Sequence, residues 1–328
     1  MAIEYLYTGM LYILILRAYD EIMTLTQIKI GTRGSPLALA QANQVRNLLI
    51  KNNPQIPEPV IKAIKTTGDK ITDRHLADLG GKGLFTKEIQ IALIEGKIDV
   101  AVHSMKDVES ILPKELIIDC YLPREDPRDV LIGAPSIDAL LEGARVGTAS
   151  LRRRAQLLAI RPDLKILLLR GNVETRLDKL ASGEVDATIL ALAGLKRLKR
   201  TDVVGTVLEP DLFLPSVGQG AIGVERRTSD LNIGKLLNSI NHDKTEKCVV
   251  CERSMLAALD GTCRTPVGGL ATLKGDKISL EGMLVWPDGT GIERLTRVGN
   301  KKEAHALGHS VGIELRNLAG PDFFESLL

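Results

Sequence analysis

Short β-branched runs alternate with stretches that repeat apolar side chains at helical spacing, and this alternation organises the chain. Gln27–Ile30 alternates like a strand and runs into the polar turn Gly31–Pro36. Leu37–Leu49 then carries apolar residues at helical spacing, with Ser35 as cap and Pro36 at the first helical position. Val60–Lys65 reads as the next strand. The polar stretch Thr66–Gly83 holds four glycines and has the length of a mobile lid or binding loop. Leu84–Ile94 is helical in pattern and is stopped by Gly96. Ile98–Val102 then reads as a buried strand of a parallel sheet, ending in His103, Ser104, Lys106 and Asp107. Ligands of open α/β sheets sit beyond the carboxyl ends of the strands, so this register puts an acid at the mouth of a cleft.

Cys120–Asp129 carries two prolines and a cluster of charges, the signature of a hinge or crossover. A second α/β unit begins near Asp129. Its strands end at Arg145–Ser150, Lys165–Leu169 and Asp186–Ala191, and Ser150 is placed to cap the helix Leu151–Ile160. The glycine-rich Phe213–Val224 is a return crossing into a strand. From His242 the pattern changes to a helix (Thr245–Leu259), a turn (Asp260–Gly269), short alternating strands with a hairpin turn at Pro287–Gly289, and a closing helix from Lys302 to about Leu318. The expected architecture is α/β: two parallel α/β units plus a small α+β C-terminal unit. Domain 1 comprises 27–122 and 220–238, domain 2 comprises 126–214, and domain 3 comprises 243–328. Residues 1–26 are read as a disordered or mis-started extension, because the apolar Met10–Leu16 is far short of a membrane span and lacks the flanks of a secretory signal.

Composition narrows the function. The 328 residues are 44% hydrophobic and 26% charged, which describes a soluble globular protein of two or three domains. A net charge of +2 and 3% aromatic residues argue against bulk attraction to nucleic acid and against base-stacking platforms. Four cysteines in a chain of this size make no disulfide framework and point to a reducing cytoplasm.

Against this nearly neutral background, Arg145–Arg200 holds thirteen Lys and Arg and only five Asp and Glu. Arg152, Arg153, Arg170 and Arg176 fall at strand ends or helix starts, as does Arg33 in the first unit. Guanidinium forks match carboxylates or phosphates bidentately, so the set implies a ligand with many anionic groups; solvated surface charge is the plain alternative. Asp107 is either a surface partner of Lys106 or a carboxylate that stabilises a cation in an arginine-rich cleft. The C-x-x-C pair Cys248 and Cys251 lies inside a helical pattern with no second pair or suitably spaced histidine, and no metal site is expected. Cys120 reads as a core residue. Cys263 differs: it lies in a tight turn beside Arg264, where loop exposure and a cation favour the thiolate. Gly218–Gly223 leads into a strand and so fails as a dinucleotide fingerprint.

Several long segments occur in a fixed order: Thr32–Ala38, Gly80–Phe85, His103–Asp107, Arg124–Asp129, Gly147–Arg153, Leu169–Arg176, Val217–Gly220 and the Cys263 turn. From about Gln27 to the end the chain resembles the porphobilinogen deaminase (hydroxymethylbilane synthase) family. The resemblance implies two periplasmic-binding-protein-like α/β domains and a transferase of porphyrin and heme biosynthesis. Such an enzyme deaminates four porphobilinogen molecules and joins them head to tail on a covalent dipyrromethane primer, then releases the linear tetrapyrrole hydroxymethylbilane. It implies Cys263 as the thioether attachment point and Asp107 as the catalytic carboxylate, which either stabilises, ionised, the azafulvenium cation left by ammonia or, protonated, assists the ammonia's departure. It implies Arg33, Ser35, Lys82, Ser104, Lys106, Thr148, Ser150, Arg152, Arg153, Arg170 and Arg176 as groups that bind cofactor and substrate carboxylates, with Gln41 and Gln219 after them. It further implies a monomeric cytoplasmic protein whose partner is porphobilinogen, with no nucleic acid, membrane or metal. Two positions depart from the family pattern: Asp78 stands where relatives often carry lysine, and Ala149 replaces a hydroxyl residue.

The rival reading is a two-lobed binding protein that clamps an anionic solute without chemistry; it explains the arginines and the hinge but has no use for Cys263. A basic nucleic-acid module is the second rival, and it would show strongly salt-dependent affinity for RNA.

Overall fold

The computed structural model describes residues 27–70, 83–260 and 265–327. The expectations for 1–26, the Asp78 lid, Lys82 and Cys263 lie outside the described residues. Strand β1 (Lys29–Arg33) passes through Ser35 into α1 (Pro36–Asn52), and the Ser35 hydroxyl accepts from the Ala38 amide as the sequence predicts. β2 (Val60–Ile64), α2 (Lys87–Ile94), β3 (Val100–Ser104) and β4 (Leu116–Tyr121) follow. The chain then builds a second lobe from β5 (Asp129–Ile132), β6 (Arg145–Gly147), α3 (Leu151–Ile160), β7 (Lys165–Leu167), α4 (Val173–Ala181), β8 (Ala187–Ala191), α5 (Leu192–Arg197) and β9 (Thr206–Leu208). It returns to the first lobe as β10 (Ile222–Arg227) and α6 (Leu231–Asn238).

Each lobe holds a five-stranded sheet, ordered β2-β1-β3-β10-β4 and β7-β6-β8-β5-β9. The sequence pattern predicts parallel sheets, but both are mixed. β10 runs antiparallel to β3 and β4, and β5 runs antiparallel to β8 and β9. These are the strands by which the chain crosses between lobes. A strand delivered from the other lobe needs no crossover helix in its own sheet, so nothing obliges it to run parallel. The central strand also starts later than its apolar run implies. Asp99 is occupied at Lys29, exchanging backbone and side-chain hydrogen bonds, and the ladder with β1 begins at Val100. His103 and Ser104 are therefore strand residues, and the polar cluster begins one short 3₁₀ turn later, at Met105–Asp107.

The third unit is α+β. α7 (Asp243–Ala258) and α8 (Ala304–Glu325) cover the antiparallel sheet β11 (Val267–Lys274), β12 (Lys277–Val285) and β13 (Ile292–Asn300). The closing helix bends at Gly320–Pro321, just beyond the expected end at Leu318, and resumes to Glu325. The two helices touch backbone to backbone: a Cβ on Gly308 would lie 2.0 Å from the Cys251 carbonyl oxygen. Cys248 and Cys251 are buried in this core beside Met255 and Val311, and burial pushes their thiols up to about 11 and about 12. Cys120 is fully buried in the first lobe. Among the described residues, no His, Cys, Asp and Glu form a group that could hold a metal, and no helix is long and apolar enough to cross a membrane.

One carboxylate joins the three parts. Glu252 on α7 is fully buried and accepts from the Arg124 guanidinium at 2.5 and 3.1 Å. It also accepts from the Gly218 amide at 2.7 Å and the Ala271 amide at 2.8 Å. Arg124 lies on the outgoing crossing and Gly218 on the return. Glu252→Ala should therefore lower unfolding free energy by about 3–5 kcal/mol, because it strands a buried guanidinium and two amides. A urea midpoint within error of the parent protein would show that these donors find other partners.

Candidate active site

The cleft is organised by the end of β3. Met105 is buried and directs the 3₁₀ turn inward, and it lies against Gly223 of β10 so closely that a Cβ there would sit 2.1 Å from its sulfur. With Met105 anchored, Lys106 and Asp107 face the space between the lobes. The chain beyond is held by Arg253 of α7, whose guanidinium donates to the Val108, Glu109 and Ser110 carbonyls. The turn bearing Asp107 is thus fixed from the third unit as well as from its own sheet.

Arg33, Ser35, Gln41, Ser104 and Asp107 line one pocket at the start of α1, together with Phe85; it contains about 380 Å³ including the part open to solvent. The Asp107 carboxylate is one-third exposed, and Arg33 Nη1 lies 3.7 Å from it. Arg33 is itself held by Asp69, at 3.2 Å from Nε and 2.5 Å from Nη2, and stacks 4.2 Å from the Phe85 ring centre. The Gln41 amide donates to the Ser104 hydroxyl at 2.7 Å, fixing α1 against the strand end. His103 faces the sheet's polar interior, where Nε2 meets Glu225 at 2.9 Å and Gln90 donates to the other carboxylate oxygen.

The opposite wall comes from the second lobe. Arg152 and Arg153 start α3, whose Ser150 cap accepts from the Arg153 amide as predicted. Both guanidiniums are buried and share the carboxylate of Asp129, at 2.8 and 2.7 Å. Their remaining terminal nitrogens donate to the Leu214 and Ile189 carbonyls. Burial would raise the Asp129 pKa, but Arg153 and Arg152 hold it well below the usual carboxylate range. Arg170 is buried and donates across the cleft to the Gly68 carbonyl at 3.4 Å. Thr148 and Ser150 line a separate depression with Arg154.

Among the described residues, positive charge is in excess here. Arg152 Nε and Arg153 Nε are buried without a hydrogen-bond partner. Among the described residues, Lys106 and Arg176 have no carboxylate within ion-pair distance; Arg176 Nε donates to the Gly171 carbonyl. Burial, then the Arg153 guanidinium, push the Lys106 ammonium down to about 8, against the pull of Asp107 and Asp129. Burial and Arg153 likewise push Arg176 down to about 10, with Asp107 opposing. Among the described residues the cleft holds more cations than acids, which suits a ligand carrying several carboxylates, and a dipyrromethane with acetate and propionate side chains has that chemistry. Sequence reasoning missed Asp129, Asp69 and Arg253. Asp129 stood in plain view in the Arg124–Asp129 cluster, but its role depends on arginines twenty-odd residues away.

Comparison with known proteins covers most of the chain. The family described as "Porphobilinogen deaminase, dipyromethane cofactor binding domain" matches residues 28–235, and "Porphobilinogen deaminase, C-terminal domain" matches 246–317. A porphobilinogen deaminase of Nitrobacter winogradskyi is 54% identical over 90% of this chain and 94% of its own. One of Paracoccus denitrificans is 50% identical over 91% of this chain and 96% of its own. Among solved structures, the periplasmic VFT2 domain of Bordetella pertussis BvgS aligns with a TM-score of 0.42 at 15% identity, over 69% of this chain and 91% of that one.

The unbalanced charge has a pH signature. Lys106 titrates near 8 in the folded protein and near 10.5 in the unfolded chain, so between these values unfolding takes up a proton and stability rises with pH. Below the lower value both states are charged and the burial penalty is fully present. In ligand-free protein, Lys106→Met should raise the urea midpoint at pH 7, and the gain should shrink between pH 8 and 10.5. A lower midpoint at pH 7 would mean that the ammonium is stabilised where it stands.

Proposed function

The chain belongs to the porphobilinogen deaminase family, and on that premise we propose that Asp107 is the catalytic carboxylate, Cys263 the attachment point of the cofactor, and the arginine-rich wall its anion clamp. The enzyme is a hydroxymethylbilane synthase, a transferase that joins four porphobilinogen molecules into a linear tetrapyrrole on a dipyrromethane primer. The bound dipyrromethane supplies the free pyrrole carbon at which the chain grows.

The observation that carries the residue assignments is the placement of one partly exposed acid among buried, underneutralised cations. Porphobilinogen enters with its aminomethyl group protonated. When the C–N bond breaks, ammonia leaves with the bonding electrons and the substrate methylene carries the positive charge, shared with the pyrrole ring. The single positive charge thus moves from the nitrogen to the pyrrole and its methylene, and a carboxylate fixed on the ring side of the breaking bond favours the new location over the old, which is how it accelerates the step. Arg33 keeps the Asp107 carboxylate facing the cleft without pairing it closely, since its shorter bonds go to Asp69. Lys106, Arg152, Arg153, Arg170 and Arg176 hold acetate and propionate groups; Ser35, Ser104, Thr148, Ser150, Gln41 and Lys82 complete the set. The family resemblance supports a monomer. The free thiols of Cys120, Cys248 and Cys251 support a reducing cytoplasm.

Intact-mass measurement tests the attachment: the parent protein should exceed its sequence mass by two pyrrole units, and Cys263→Ser should not. Equal increments in both would remove Cys263 from the reading. Asp107→Asn should keep the covalent group and the native circular dichroism while turnover falls by about 10²-fold or more. Parent-like turnover in that variant would take the catalytic role from Asp107.

A further inference from the structure

Gln219 is expected from the family resemblance to touch bound ligand, but its side chain is committed elsewhere. It lies on the return crossing between the lobes and is 1% exposed. Nε2 donates to the Pro127 carbonyl at 2.7 Å and to Asp129 Oδ1 at 2.9 Å. Oε1 accepts from Lys106 Nζ at 3.3 Å. Its own backbone carbonyl accepts from Arg124 Nε at 2.8 Å. Every polar atom of the amide is therefore used inside the protein, and its two ends face opposite charges. The carbonyl meets an ammonium from the catalytic turn, and the NH₂ meets the carboxylate shared by Arg152 and Arg153. No other orientation of the amide satisfies both.

We infer that Gln219 is a positioning residue, a neutral bridge that ties Lys106 of the first lobe to the Asp129–Arg152–Arg153 cluster of the second and keeps the ammonium off Asp107. The inference rests on the reading that Asp107 and these cations form the catalytic machinery. Lys106 is faced by Asp107 on its own turn, Asp129 at the start of β5, Arg153 on α3 and Arg176 on α4. Two of these are acids that attract it. An ammonium freed from the amide can swing onto Asp107, and a paired carboxylate stabilises a substrate cation less well. An amide does this work where an acid or a base would not, because either would unbalance the ionic cluster it spans.

The test is a double-mutant cycle on the cofactor-loaded enzyme. Gln219→Met should retain the covalent mass increment while kcat for porphobilinogen falls roughly tenfold and KM moves far less. In a Lys106→Met background the same replacement should have little further effect on kcat, because the bridge has already lost one end. A parallel cycle in urea unfolding of the unloaded chains should show the same coupling between positions 219 and 106. If Gln219→Met does not fold, Gln219→Asn, which withdraws the amide by one methylene, takes its place in both cycles. Additive effects in both cycles, or a loss confined to KM, would overturn the bridge. The unfolding cycle reads the bridge whether or not the parent protein turns over porphobilinogen, so it fails separately from the proposed activity.

Discussion

Two guanidiniums sharing one buried carboxylate is the constraint from which the rest of the cleft follows. Asp129 cannot neutralise both Arg152 and Arg153, and each arginine retains a buried Nε without a partner. Such an arrangement persists only if the surrounding fold holds it, since unpaired buried charge is costly. What holds it is covalent position: Asp129 opens β5, the arginines open α3 behind a serine cap, and Gln219 reaches in from the return crossing. The protein thus keeps a positive potential in place before any ligand arrives. A ligand with several carboxylates gains what the fold has withheld from its own acids, and electrostatic preorganisation of this kind is worth most where water is excluded.

The same crossings that carry Asp129 and Gln219 also carry the contacts to the third unit. Arg124 and the Gly218 amide converge on Glu252, while Arg253, the next residue of α7, holds the loop after Asp107. Adjacent residues of one helix therefore grip the crossing segments and the catalytic turn. The unit that follows in sequence with the Cys263 turn is in this way mechanically joined to the acid, although the two lie far apart along the chain.

Much of this was legible in the sequence where the cause is local. Ser35–Pro36 and Ser150 announce their helices because a cap is a matter of neighbouring residues, and both caps are made. The apolar run before Asp107 marks a central strand for the same reason. What the pattern did not reveal is pairing across long separations. Nothing in Ile222–Arg227 distinguishes a strand that inserts antiparallel between β3 and β4 from one that extends an edge, because that choice belongs to the crossing, not to the residues. Asp129 in a proline-flanked charge cluster looks like a surface acid until α3 and the return crossing are folded around it. Gln219 was legible as a polar residue of a glycine-rich segment, and its committed amide was not.

The exchange of strands between lobes has a consequence for synthesis. When the ribosome has finished β4, the first sheet still lacks the strand that separates β4 from β3, and that strand is encoded only after the whole second lobe. The N-terminal lobe therefore cannot close as it emerges. Its native five-stranded order can be completed only once roughly two-thirds of the polypeptide has left the tunnel.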